Sequence, residues 1–338
     1  MKMKPFIEKL LSGEGLKTEE AASALDLIMT GESSDLEVAG LLVALRGKGE
    51  SVEEIVGFAR TMRAHAIQIH TEDPDAIDMC GTGGDGLGTF NISTASAFVA
   101  AGAGVTVAKH GNRSVSSPSG IADLLQALGV KIDLPPARVE ECVNRTGIGF
   151  LYAPLFHPAM KYAAPARKGL GIRTIFNMLG PITNPAGVQR QVIGTYGADV
   201  SVTLAGALSQ LGTELACVLH SENGMDEVSL SGSTMVQEVA GARPVHAYKV
   251  TAREFGLPGL NGSSVSGGGP EENAAIVLRI LEGKRSPHRD IVAANGGFGI
   301  FVAGKARSLE EGTQMAAESI DSGRAMEKLR MMREFSNR

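Results

Sequence analysis

With 338 residues, 43% hydrophobic and 20% charged, and a formal net charge of −5, the chain has ordinary globular composition and room for a large core. That balance argues against disorder, a fibrous repeat or a broad nucleic-acid surface, which normally brings a basic excess. Cys80, Cys142 and Cys217 lie far apart and form no C-x-x-C pair or zinc spacing, which points to a reduced, cytoplasmic setting.

The opening MKMKPFIEKLLSGEG reads as no signal peptide, lacking a long apolar run before a small-residue cleavage site. Up to residue 72 the pattern is helical. Thr18 is the expected cap of one helix. Ser34-Asp-Leu-Glu37 and Ser51-Val-Glu-Glu54 have capping-box form, in which Ser and Glu exchange bonds with each other's backbone N–H. Apolar residues follow at helical spacing, and short connections predict an antiparallel bundle used for packing or oligomerisation.

From TEDPDAIDMC onward, strands alternate with helices. The strand segments are AIDMC, GVTVA, VKID, IGFLY, RQVIGTY and ELACVL; the helices run through NISTASAFVAAGA, IADLLQALG, PARVEECVNRT and VTLAGALSQLG. Gly86 to Ala108 carries no charge, but Asn91, Ser93, Thr94, Ser96, Gly102 and Gly104 make it a short helix and a strand, not a membrane span. The alternation predicts an α/β fold, a mostly parallel sheet flanked by helices, with ligands outside the carboxyl ends of the strands. The segment from His157 to Pro185, rich in Pro and Gly, interrupts the pattern as an insertion that crosses to the bundle. After VSLSGSTMVQEV and PVHAYKV, a predicted strand pair, come the loop NGSSVSGGG and three helices starting near Pro270, Ser286 and Ser308. The glycine-rich stretch from Asn295 to Gly304 has no explanation at this level. The division reads as a helical domain over 1–72 with an insertion near 165–187, and an α/β domain over 73–164 and 188–338.

The loop CGTGGDGLGTFNIST satisfies G-x-G-x-x-G through Gly81, Gly83 and Gly86. A nicotinamide site needs an acid at the end of the next strand, ~20 residues on; here Lys109-His110 follows GVTVA. The Gly-Lys-Ser/Thr of a nucleotide-hydrolase loop is also missing. What remains is a phosphate cradle, with glycines that let backbone approach a ligand and the N-terminus of a helix beginning near Asn91, where Ser93 and Thr94 add hydroxyls. No acid occurs between Asp85 and Asp123, and within that span lies KHGNRSVSS, Lys109 to Ser117. Two successive strand ends thus offer anion-binding loops. Asp85 inside such a loop either accepts backbone N–H bonds or meets a ligand hydroxyl or a metal-bound water. Asp226-Glu227, beyond ELACVL, is a candidate Mg²⁺ pair. Arg167 and Arg173 suit a carboxylate-bearing acceptor or a structural contact, and His157 by itself reads as a packed histidine.

GTGGDG, NIST, KHGNRSVSS, HPAMK, the run from Arg167 to Asn177, LGP-x-T-NP and MDEVSL, in this order, resemble anthranilate phosphoribosyltransferases over almost the whole chain. GTGGD is shared with pyrimidine nucleoside phosphorylases and marks only the fold. The resemblance implies an α/β domain with a smaller all-helical domain, pairing as a homodimer through the helical parts. It also implies transfer of phosphoribose from 5-phosphoribosyl 1-diphosphate to the amine of anthranilate in tryptophan synthesis. It assigns the diphosphate sugar to Gly81, Gly84, Asp85, Thr89, Asn91, Ile92, Ser93, Thr94, Lys109, His110, Gly111, Asn112, Arg113, Ser114, Val115, Ser116, Ser117 and Ile121. Anthranilate falls to Gly81, His110, Asn112, His157 and Arg167, and Mg²⁺ to Ser93, Asp226 and Glu227. No side chain is assigned as nucleophile; Lys109 is the main electrostatic candidate. Ile121 departs from the family's small hydroxyl residue and removes one side-chain contact to phosphate. The competing expectations are a pyrimidine nucleoside phosphorylase on the same fold and a non-catalytic nucleic-acid-binding relative. The negative charge and the Asp226-Glu227 pair speak against the latter.

Overall fold

The computed structural model describes residues 2–114, 118–260 and 265–338. Four helices come first: α1 (Lys4–Leu11), α2 (Thr18–Met29), α3 (Asp35–Lys48) and α4 (Val52–Ala64). Both expected capping boxes form. The Glu37 carboxylate accepts from the Ser34 N–H at 2.9 Å, and Glu54 accepts from Ser51 at 2.8 Å. Thr18 is not a cap. It is the first residue of α2; Lys17 precedes the helix, and the Glu20 carboxylate takes the Lys17 N–H at 2.8 Å.

The sheet follows, with β1 (Ile77–Gly81), α5 (Ile92–Gly102), β2 (Val107–Gly111), α6 (Ile121–Ala127), α7 (Pro136–Thr146) and β3 (Ile148–Tyr152). The insertion contributes α8 (Ala153–Phe156), α9 (Ala164–Leu170) and α10 (Phe176–Ile182) before β4 (Arg190–Gly194), α11 (Ala198–Gln210) and β5 (Leu215–Ser221). Next are β6 (Thr234–Ala240), β7 (His246–Val250), α12 (Pro270–Leu281), α13 (Pro287–Val302), α14 (Leu309–Asp321) and α15 (Arg324–Ser336). The strand order is β3-β2-β1-β4-β5-β6-β7. β1 to β5 run parallel, and the expected pair β6 and β7 is antiparallel.

VKID is not a strand. Its Lys131 N–H bonds the Ser336 hydroxyl at 3.1 Å instead of a neighbouring strand. Val130 and Ile132 are buried, so their alternation reflects packing rather than pairing. Four helices, not three, close the described chain. Gly323, at φ +78°, turns α14 into α15, a break that the sequence pattern does not announce.

One core lies around the sheet, α5, α6 and α12 to α15. A second joins α1 to α4 with Ala163, Ala166, Phe176 and Leu179 of the insertion and with Leu204 and Leu208 of α11. The insertion therefore packs with the bundle. Among the described residues no helix is long and apolar enough to cross a membrane.

Candidate active site

β1 and β2 are parallel neighbours, so their carboxyl ends open onto one rim. The loop after β1 is anchored at its start. Thr82 N–H bonds the Gly194 carbonyl of β4 at 2.9 Å, and its hydroxyl accepts from the Tyr196 N–H at 3.1 Å. Asp85 Oδ1 then accepts from Leu87 N–H at 3.1 Å, so this carboxylate shapes its own loop. Thr89 is tied down by a backbone bridge to Ser266. Asn91 anchors the start of α5: its side chain donates to the Ser119 carbonyl at 3.2 Å and accepts from Asn273 at 3.0 Å. Ile92 is buried and its N–H is taken by the Phe90 carbonyl at 2.7 Å, so it positions the helix from below.

Lys109 is buried and reaches across from β2 to α5. Its Nζ donates to the Met79 carbonyl and to Ser93 Oγ, the latter at 3.3 Å. Burial lowers its pKa, while the Asp78 carboxylate beneath it opposes that shift. Burial raises Asp78 to about 6 despite the pull of Lys109. Asp78 also accepts from Asn184 Nδ2 at 2.8 Å, and Asn184 donates to the Ala108 carbonyl at 2.8 Å. Asp78 and Asn184 were not singled out from the sequence. The available signals were a carboxylate inside an apolar strand and the final Asn of LGP-x-T-NP.

Glu227 accepts from the Ser93 N–H at 3.0 Å, at the head of α5. Asp226 docks on the strand ends, where a Cβ on Gly81 would stand 3.1 Å from its Oδ2 and one on Gly194 would overlap its carbonyl. Burial and the facing Asp85 raise Asp226 to about 7; burial and Asp226 raise Glu227 to about 8. Asp85 Oδ2 is buried without a hydrogen-bond partner. Crowded carboxylates beside an unpartnered buried oxygen form an environment that a divalent cation relieves, so these residues fit Mg²⁺. Among the described residues, no three His, Cys, Asp or Glu side chains form a complete metal cage. A cation here therefore needs further oxygens, from water or phosphate.

The second loop splits in two. His110 is buried, with Nδ1 against the Gly180 carbonyl at 3.1 Å and its ring 5.1 Å from that of His157. Burial depresses His110 to about 3 and His157 to about 4, so both are neutral at pH 7, and each has a buried Nε2 without a partner. Asn112 is exposed and its Oδ1 accepts from the Arg113 N–H at 2.7 Å. Arg113 turns towards α6, pairing with Asp123 and donating to Gln126 at 2.6 Å. Ser114 N–H lies 3.5 Å from Asp123. Val115, Ser116 and Ser117 lie outside the described residues. Gly111 is overlain by Ile121, whose Cδ1 would be 2.7 Å from a Cβ there. Ile121 thus packs on the end of β2. Thr94 is buried, with an unpartnered hydroxyl.

The two arginines of the insertion do different things. Arg167 is half-buried over the Phe176 ring, 4.9 Å from its centroid, with no carboxylate partner among the described residues. Arg173 donates to the Gly84 carbonyl and stacks 4.3 Å from the centre of the Tyr196 ring.

The chain matches the family described as "Glycosyl transferase family, helical bundle domain" over residues 4–66 and that described as "Glycosyl transferase family, a/b domain" over residues 73–326. It is 50% identical over 331 residues to the anthranilate phosphoribosyltransferase of Moorella thermoacetica, covering 98% of this chain and 97% of that protein. The crystal structure of anthranilate phosphoribosyltransferase from Thermus thermophilus superposes with a TM-score of 0.92 at 45% identity, covering 98% of this chain and 99% of that one. The Saccharomyces cerevisiae enzyme, in complex with PRPP and Mg, gives 0.90 at 29% identity, covering 99% and 98%. With both domain families matched in order and half of its residues identical over nearly full length, the chain belongs to the anthranilate phosphoribosyltransferase family.

Proposed function

We infer that the chain transfers the phosphoribosyl group of 5-phosphoribosyl 1-diphosphate to the amine of anthranilate, giving N-(5-phosphoribosyl)anthranilate and diphosphate in tryptophan biosynthesis. One observation carries this reading: Lys109, Ser93, Glu227 and the glycine loop converge at the head of α5, on the shared rim of β1 and β2. The glycine loop and α5 offer peptide N–H groups and a positive helix end to the diphosphate. Lys109, through Ser93, fixes positive charge where the leaving oxygens gain negative charge. The acceptor lies between neutral His110 and His157 and the Arg167 guanidinium, which takes the anthranilate carboxylate. Neutral imidazoles favour that acceptor site, because they neither repel Arg167 nor demand a second anion.

The C1–O bond to diphosphate breaks through an oxocarbenium-like state, the C1–N bond forms, and the amine releases a proton to solvent. Alignment of the two substrates supplies up to about 7–11 kcal/mol of the barrier reduction, so no protein nucleophile is required. Asp226, Glu227 and Ser93 would hold Mg²⁺, which supplies charge neutralisation for the diphosphate. The exposed apolar side chains Leu11, Leu36 and Val43 of α1 and α3 support a homodimer built through the helical domain. Three buried free cysteines are compatible with a cytoplasmic setting.

The test is to mix protein, anthranilate, 5-phosphoribosyl 1-diphosphate and Mg²⁺ and follow anthranilate fluorescence. The expected loss of signal stops on chelation. Activity with inorganic phosphate and uridine or thymidine, and none with anthranilate, overturns the reading. Arg167→Ala should raise the KM for anthranilate about 10–100-fold, the worth of a charged hydrogen-bonded pair, with binding of the diphosphate sugar retained. Unchanged anthranilate kinetics remove Arg167 from the site.

A further inference from the structure

We propose that Arg173 is a positioning residue that fastens the glycine loop to the insertion, so that one segment sets both the diphosphate cradle and the acceptor-side Arg167. The significance for substrates rests on the function proposed above; the fastening itself does not.

Three observations carry it. First, the Arg173 Nη2 donates to the carbonyl of Gly84, at the tip of the loop, and a Cβ on Gly84 would stand 3.2 Å from that nitrogen. Secondly, the guanidinium is held from its other side by the Tyr196 ring, at 4.3 Å, and Tyr196 itself holds Thr82 through its N–H. The loop is thus gripped at Thr82 by the strand end and at Gly84 by the insertion. Thirdly, between Gly84 and Leu87 the only other hydrogen bond among the described residues is internal to the loop; the next outside anchors are the Gly88 carbonyl, which accepts from the Gly267 N–H, and the Thr89 bridge to Ser266. Leu87 N–H bonds internally to Asp85, and Asp85 faces the like-charged Asp226. Arg173 is exposed, so its bond to the Gly84 carbonyl also keeps a positive charge beside the cradle.

The experiment compares Arg173→Ala, Arg173→Lys and Tyr196→Leu with the parent chain. Hydrogen exchange of the loop amides from Thr82 to Leu87 is read first, on unliganded protein. Loss of a charge-assisted bond predicts about tenfold faster exchange in Arg173→Ala, with Arg173→Lys in between because it donates without stacking. Unchanged loop exchange overturns the proposal, whatever the reaction proves to be. Steady-state kinetics come second. The KM for 5-phosphoribosyl 1-diphosphate should rise about tenfold with a smaller change in kcat, and Tyr196→Leu should add little to Arg173→Ala because the two act as one unit. A rise confined to the KM for anthranilate makes Arg173 an acceptor contact and overturns the positioning role.

Discussion

The loop after β1 and the middle of α13 are both rich in glycine, for opposite physical reasons. In the loop, Gly83 and Gly84 adopt φ of +63° and +79°, and a Cβ on Gly83 would touch nothing within 4 Å. There the backbone conformation requires glycine, and at Gly83 space is plentiful. In α13 the glycines have helical conformation and no space. A Cβ on Gly297 would stand 2.5 Å from the Thr313 nitrogen of α14, and one on Gly299 would stand 2.7 Å from Met79 Sδ of β1. The first cluster shapes the loop proposed above as the diphosphate cradle. The second brings a helix close against its neighbours, which accounts for Gly296, Gly297 and Gly299 of the stretch that the sequence left unexplained, while Gly304, at φ +72° beyond the end of α13, is a turn glycine. Activity and stability should therefore separate between the two regions.

The largest effect is expected beside the loop. Asp226→Asn should lower kcat/KM about 10²–10³-fold, the scale for losing one electrostatic contribution to a developing anion. Its thermal midpoint should not fall, because burial and the facing Asp85 already oppose ionisation of Asp226. Initial rates with calorimetry on the same sample decide; a folded, fully active variant removes Asp226 from the site. Gly297→Ala should give the reverse pattern. Overpacking against the α14 backbone costs about 3 kcal/mol, read as a lower denaturant midpoint at constant m, with activity per folded molecule retained. An unchanged midpoint would mean that α14 moves aside freely.

Much of this division was legible in the sequence because it rests on local rules. The boxes Ser34–Glu37 and Ser51–Glu54 start helices by bonds three residues apart, and the strand–helix alternation set the parallel sheet. The shared rim of the two loops was legible as well, since successive parallel strands place their ends side by side. What failed depended on distant partners. VKID looked like a strand until the Ser336 hydroxyl took the Lys131 N–H. Arg167 and Arg173 were equivalent candidates until Phe176 and the Gly84 carbonyl separated them. Ile121 read as a lost phosphate contact, and the structure gives it a packing surface on Gly111.

His157 tests stability and site at one residue. Its folded pKa is depressed to about 4 by burial, below the ordinary 6.5. The unfolded chain therefore takes up the proton first as pH falls. The contribution is complete above pH 6.5 and is lost progressively from there towards pH 4. At about pH 5.5 the loss from this residue is about 1 kcal/mol. His157→Asn should consequently lose less stability than the parent between about pH 7 and pH 5.5 in urea unfolding. Equal losses would mean that the imidazole charges without penalty.

Gly83 offers the most direct contrast with Gly297. Alanine at φ +63° meets no neighbour, so the cost is the left-handed penalty alone, about 1–2 kcal/mol at most and less if the loop relaxes. Relaxation is what harms the site. The Gly83 peptide favours the charged form of the Asp226 carboxylate, and a shift to negative φ turns that N–H away from the acid and its peptide away from the cradle. Gly83→Ala should therefore raise the KM for 5-phosphoribosyl 1-diphosphate about tenfold, the scale of one hydrogen bond to a charged group, while the denaturant midpoint moves less than for Gly297→Ala. If Gly83→Ala destabilises as strongly as Gly297→Ala and leaves that KM unchanged, the two clusters do not differ in kind, and the loop is a packing feature like the helix.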